Sequence, residues 1–144
     1  MSARQAGVGR TKDAGWQIGV SKTLNHPIEQ VWKFLTSARG TALWLGHGVE
    51  AIDEVGGPYE TTEGTVGETR SFHQRDRIRL TWQPEDWDHD SIVQVAVTSS
   101  GPRRTMIRFH QERLFDARER EQQRTHWQAV MGAIVEALDA SRGS

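Results

Sequence analysis

Cysteine is absent from all 144 residues, which excludes disulfides, thiolate metal sites and cysteine nucleophiles and accords with a reducing cytoplasm. No segment approaches membrane-spanning length, and residues 1–14 hold no apolar run of signal-peptide type, so a soluble cytoplasmic protein with no membrane insertion is expected. Charge of one sign is lacking as well. The 18 basic and 19 acidic side chains leave a formal net charge of -1, which gives no electrostatic reason to expect nucleic acid as a partner. His-x-x-x-His and His-Glu-x-x-His spacings are missing, so no metal site is expected, and none of the glycine pairs opens a phosphate loop. No cofactor is called for. Aromatic residues are few apart from tryptophan: one tyrosine and four phenylalanines accompany six tryptophans. Tryptophan leaves irregular space around it, which suits a core with a cavity, or else a core that the rings simply fill. Arginine greatly exceeds lysine, a compositional hint of a GC-rich bacterial genome.

What is present begins with one long periodic stretch, Asp116 to Ala140. Its apolar residues Trp127, Val130, Met131, Ile134, Val135 and Leu138 recur at the i, i+3, i+4, i+7 spacing of one helical face. Asp116 followed by Glu119 has the form of a capping box. At ~1.5 Å per residue such a helix is roughly 35 Å long, enough to cross a small domain. The length of the chain suits a single core.

Before this helix, strand patterns dominate. Residues 1–14 show no periodicity and are expected to form a disordered tail, with one domain over 15–140 and a short tail over 141–144. From Trp16 the pattern has period two, with Trp16, Ile18, Val20 and Leu24 on one side. Asn25-His26-Pro27 stops this strand and starts a helix, because proline presets a helical φ while keeping the preceding residue extended. Ile28, Val31, Trp32 and Leu35 form the buried stripe of that helix. Thr36-Ser37 end it and cap a second short helix that runs to Trp44-Leu45, with Gly46 as terminator. His26 reads as a cap or a solvent-facing residue.

From Val49 to Gln111 five or six strands are expected, with turns at Gly56-Gly57, Glu63-Gly64, Arg75-Asp76, around Asp88 and at Ser99 to Pro102. Ile78, Leu80 and Trp82 share one face, as do Val93, Val95 and Val97, and Ile107 and Phe109. In the strand over 65–73, Val66 and Phe72 favour one register and Thr69 and Ser71 the other. Either Arg70 or His73 is then compatible with an inward position. The fold class that follows is α+β: a two-layer domain with one long helix across an antiparallel sheet.

The local text adds a resemblance. Pro27 through Leu35 as P-x-x-x-V-W-x-x-L, Trp44-Leu45-Gly46, Gly57-Pro58-Tyr59, Gly64 through Glu68, Arg77 through Trp82, Thr105 through Leu114 and His126-Trp127 occur in this order. Together they resemble the helix-grip, START-like or SRPBCC superfamily, and within it the branch named for the Aha-type activator of the 90-kDa heat-shock chaperone ATPase. The resemblance covers roughly residues 16–139. It implies a curved sheet of six or seven strands gripping the C-terminal helix, with an apolar cavity that in several relatives holds lipids, polyketides or other hydrophobic small molecules. The residues of this chain placed to line such a cavity are Trp44, Tyr59, Trp82, Val95, Ile107, Phe109 and Met131. Gln111 joins them as an inward polar group that would orient a ligand. If the rings close on one another and Gln111 is bonded internally, the same residues form a filled core.

Candidates for chemistry are sparse. General acid–base catalysis needs a titratable group facing the cavity, and His47, after the Trp44-Leu45-Gly46 corner, is the first such candidate, with His73 second. Neither has a readable partner. His110 should point outward and His126 should lie at the flank of the long helix. Glu85 to Asp90 concentrates carboxylates but lacks the spacing of a calcium loop and reads as a solvated hairpin tip. The run Arg118 to Arg124 alternates charge at i, i+3 and reads as a solvated face, or alternatively as a surface for a protein partner or a second copy. Three functions follow as expectations: binding of a hydrophobic small molecule; an enzyme of the cyclase, dehydratase or hydrolase type on the same scaffold; or a co-chaperone that stimulates a heat-shock ATPase.

Overall fold

Period-two patterning over most of the chain and one helical period at its end produce a sheet crossed by a helix. The computed structural model describes residues 10–11, 15–49, 52 and 56–142. In chain order the elements are β1 (Arg10–Thr11), β2 (Gly15–Leu24), α1 (Ile28–Thr36), α2 (Ala38–Trp44), β3 (Pro58–Glu60), β4 (Val66–His73), β5 (Arg77–Trp82), β6 (Ser91–Gly101), β7 (Arg104–Leu114) and α3 (Ala117–Arg142). The strands form a seven-stranded curved sheet in the order β1-β2-β7-β6-β5-β4-β3, every neighbouring pair antiparallel. Thus β3 to β7 form a meander, and β7 returns to pair with β2. Most of the expected N-terminal tail lies outside the described residues. Within it, Arg10–Thr11 pair with Gly15 and Trp16.

One face of the sheet carries the core. Ile78, Leu80, Val93, Val95, Ile107 and Phe109 are all fully buried there, and Trp127, Val130, Met131, Ile134 and Leu138 cover them from α3. Trp127 stacks on Phe109, with ring centroids 4.8 Å apart and planes 16° from parallel. Each apolar side chain of this size contributes about 1.5–3 kcal/mol when removed from water, which is what holds α3 on the sheet. The opposite face is polar: His110 faces outward as the alternation requires, its Nε2 2.7 Å from Gln17 Oε1, and Arg79 pairs with Glu112.

In β4 both competing registers are realised. Thr69 lies opposite Leu80 and Phe72 opposite Ile78, with a bulge between Thr69 and Ser71 that shifts the alternation by one residue. Thr69 is therefore buried, while Arg70 and His73 are both exposed. A bulge places two residues of one strand against one of its neighbour, which a strict period-two reading cannot accommodate.

His26 corrects the expectation of a cap or solvent residue. It is 1% exposed, and its Nε2 lies 2.8 Å from Asp139 Oδ1 near the end of α3. Its backbone carbonyl accepts a 2.7 Å hydrogen bond from Thr105 Oγ1 on β7. One residue thus ties the start of α1 to β7 and α3.

At its other end α3 has the expected capping box with a displaced return bond: Glu119 N donates to Asp116 Oδ1 at 2.8 Å, while Glu119 Oε1 accepts from Phe115 N at 2.9 Å. The Glu119 carboxylate also faces His89 Nε2 at 3.0 Å, and His89 Nδ1 lies 2.9 Å from the Asp90 carbonyl. Burial favours the neutral ring, but the Asp90 carbonyl, the Glu119 carboxylate and the charge of Asp88 outweigh it and raise the His89 pKa above its ordinary value. Both ring nitrogens face acceptors, so the imidazolium is the form that satisfies them. A raised folded-state pKa gives stability that is complete below the unfolded value of about 6.5 and lost as pH rises through the folded value. The advantage of wild type over His89→Gln in urea midpoint should accordingly be present near about pH 5.5 and shrink toward about pH 8.5.

Candidate functional site

Three parts of the chain meet at one end of the core. The first is the corner after α2, where Trp44 is 2% exposed and its indole Nε1 donates to the Leu35 carbonyl at 2.9 Å. Gly46 follows with φ +142, and a Cβ there would stand 2.7 Å from the Thr61 methyl. Only glycine lets the corner come so close to the turn after β3. The second part is the end of β5, where Trp82 is 6% exposed. The third is α3, which presents His126 one residue before the core residue Trp127.

Between them opens a cleft of about 350 Å³, lined by Trp44, Leu45, His47, Thr61, Trp82 and His126 among others. Around it the aromatic rings are in mutual contact: Trp82 lies 5.8 Å from His126, 6.2 Å from Trp127 and 5.4 Å from Trp87 between centroids. Inside the core a chain of hydrogen bonds is closed. Trp127 Nε1 donates to Gln111 Oε1 at 2.8 Å, Gln111 Nε2 to Ser91 Oγ at 2.9 Å, and Ser91 Oγ to the Trp82 carbonyl at 2.7 Å. At the cleft the count is open. Trp82 Nε1 and His126 Nε2 are buried and have no hydrogen-bond partner among the described residues. Burial also lowers the His126 pKa below its ordinary value, so the ring is neutral at pH 7.

The ten residues singled out from sequence separate into three groups. Trp44, Trp82 and His47 line the cleft. Tyr59, Val95, Ile107, Phe109, Gln111 and Met131 are buried in the interior behind it. Tyr59 donates its hydroxyl to the Thr81 carbonyl, burial raises its pKa, and its ring holds β3 over β5. His73 is exposed at the end of β4 and does not line the cleft; His47 is exposed at its rim, and neither ring has a polar partner among the described residues. Sequence reasoning placed His126 at the flank of α3 without a role. Its signal was position: one residue before Trp127 and four before Val130, it borders the apolar stripe at the helix level of Trp82. No group of three or more His, Asp or Glu is placed to hold a metal ion among the described residues.

A family model described as activator of Hsp90 ATPase homolog 1-like protein matches residues 25–139. The chain belongs to this family. The match runs from the α1 corner nearly to the end of α3, so it includes every cleft-lining residue named above. No curated protein matches the chain. Among solved structures, the Hsp90 activator-like fold recurs in DynU16, a protein of the dynemicin biosynthetic locus, with a TM-score of 0.76 and 20% identity over 87% of this chain and 48% of that one. The chain thus spans about half the length of DynU16. Protein MLL2253 from Mesorhizobium loti has a TM-score of 0.73 at 20% identity, covering 86% of this chain and 97% of that one. PFC0360w, an HSP90 activator from Plasmodium falciparum, has a TM-score of 0.71 at 21% identity, covering 85% and 96%. At these identities the likeness is one of fold. No helix among the described residues is long and apolar enough to cross a membrane.

Proposed function

We propose that this protein binds a hydrophobic small molecule in the cleft between the α2 corner, β5 and α3. The observation that carries the reading is that two residues lining an aromatic-walled cleft, Trp82 and His126, each hold a buried, unpartnered ring nitrogen, Nε1 and Nε2. A buried polar group without a partner costs about 1–3 kcal/mol, which a ligand atom bonded there would recover. A volume near 350 Å³ falls within the range of about 300–1,000 Å³ usual for ligand sites. A second groove, between α1 and β4 near Trp32 and Phe72, is of similar size but has a charged rim of Glu29, Lys33 and Arg75 and no such buried atom in its walls. In this reading the interior residues Tyr59, Val95, Ile107, Phe109, Gln111 and Met131 support the cleft from behind and set its depth.

A thermal-shift screen with aromatic, polyketide and lipid compounds tests the proposal. A ligand at ~100 times its dissociation constant adds about 2.7 kcal/mol, a rise of roughly 5–10 °C for a domain of this size. The reading falls if a chemically broad set leaves the melting temperature unmoved and tryptophan fluorescence unquenched.

One observation favours a protein partner instead. Phe115, 74% exposed beside the start of α3, is an apolar ring in water, and both the family description and the Plasmodium neighbour name an Hsp90 activator. Phe115→Ser would then weaken stimulation of a purified chaperone ATPase, and an ATPase unmoved by the wild-type protein removes this alternative. A turnover role has less support, since His47 and His73 lack the partners that would orient them as acid or base.

A further inference from the structure

Resting on the cleft reading above, we propose that the ligand is a neutral phenol whose hydroxyl oxygen accepts from Trp82 Nε1 and whose proton is donated to His126 Nε2. An indole N–H can only donate, whereas a neutral imidazole nitrogen without its proton can only accept. A hydroxyl does both at a single atom. The two rings that carry these nitrogens lie side by side, centroids 5.8 Å apart with planes 34° from parallel, and both line the same cleft.

The charge of the walls narrows the ligand further. Among the described residues no lysine or arginine lines the cleft, and Glu63 does. A carboxylate ligand would lose its water, find no cation and face a like charge, a combination that strongly disfavours an acid. Burial favours the uncharged His126 ring, which withholds the positive charge that an acid would need; with its proton on Nδ1, that ring offers Nε2 as the acceptor for a hydroxyl. The hydrocarbon part of the ligand meets Trp44, Leu45 and Trp82, so a planar aromatic ring gains edge-to-face and offset contacts beyond plain area burial.

Four probes that share one skeleton test this: 2-naphthol, 2-methylnaphthalene, 2-acetylnaphthalene and 2-naphthoate, titrated calorimetrically into the whole chain at pH 7. The expected result is that 2-naphthol binds about five- to tenfold more tightly than each of the others, the usual yield of one well-formed hydrogen bond. In 1H–15N spectra 2-naphthol should displace the Trp82 indole N–H signal more than those of Trp44 and Trp127, which are bonded within the protein. His126→Phe and Trp82→Phe should each bring the ratio of 2-naphthol to 2-methylnaphthalene affinity down to about one, whatever they do to the affinity of either compound. Equal affinity for 2-naphthol and 2-methylnaphthalene overturns the phenol and leaves an apolar cleft standing. Tightest binding of 2-naphthoate or 2-acetylnaphthalene overturns it too, in favour of an acid or a carbonyl ligand in the same cleft. If none of the four binds, the phenol falls, while the cleft reading falls only if the broader screen is negative too. The wild-type series decides the matter even where a variant does not fold.

Discussion

Replacing Trp127 by alanine should cost about 5 kcal/mol, at least a third of the ~5–15 kcal/mol that stabilises a domain of this kind. Truncating a buried tryptophan removes about 3–5 kcal/mol through lost transfer energy and the cavity left behind. Trp127 is 1% exposed and wedged between Phe109 and Trp82, so the site has little freedom to collapse. The remainder comes from Gln111, fully buried, whose Oε1 loses its donor. Urea denaturation would read the total. Trp127→Phe separates the two parts, because it keeps a ring on Phe109 while withdrawing the N–H, and should cost only about 1–3 kcal/mol. A Trp127→Ala variant as stable as Trp127→Phe would show that α3 is held mainly by its other contacts.

Gly67→Ala should also be strongly damaging, at about 3 kcal/mol, the upper end for overpacking. A Cβ at this position would be driven into the Thr81 carbonyl oxygen and would stand 2.5 Å from Tyr59 Oη. The obstructing atom is backbone on β5, and it is the same carbonyl that accepts the Tyr59 hydroxyl. The alanine methyl therefore must push β3 and β5 apart, which also breaks that hydrogen bond. A fall of roughly 10 °C in melting temperature is expected for this magnitude. Tyr59→Phe, which loses the hydrogen bond and keeps the packing, should cost about 1 kcal/mol, so the difference between the variants measures the steric part. Gly101→Ala is a useful contrast for sterics alone: its Cβ would meet nothing within 4 Å, although its φ of +146 adds strain of its own.

The legibility of this chain follows the range of the interaction concerned. Patterns that repeat over a few residues, such as the stripe from Trp127 to Leu138 or the alternation Ile78, Leu80, Trp82, encode a face and could be read directly; those residues are buried as their spacing requires, save Val135, which is half-buried. Ser37 accepts from Gly40 N at 3.1 Å, and Asp116 from Glu119 N, because caps too are local. Where the partner is distant, composition carries no trace of it. His26 looks like any polar residue before a helix until Asp139, 113 positions later, is brought alongside it. The bulge in β4 is another case: Thr69 and Phe72 compete for one face in a strict alternation, and both reach it only because an extra residue sits between Thr69 and Ser71 in the pairing with β5. The cleft was the least readable. Its polar features are defined by what does not pair, and an unpartnered Trp82 Nε1 exists only once every candidate partner has been placed. The rings expected to line a cavity between sheet and helix instead pack closely, as Phe109 does on Trp127, and the open space lies at their end.

The pairing of β2 with β7 also bears on how the protein is made. Gln17 and His110, which meet across these two strands, are 93 positions apart. A ribosome adding about 5–20 residues per second needs roughly 5–20 s to deliver β7 after β2 has emerged. During that interval β2 has an unsatisfied edge facing the future β7 and an apolar side, including Ile18 and Leu24, with no helix to cover it. The strands of the meander can pair with one another as they appear, whereas β2 must wait for the last strand and for α3. Until then the first long strand offers the nascent chain's neighbours an open edge beside an uncovered apolar side, the combination that favours pairing between chains.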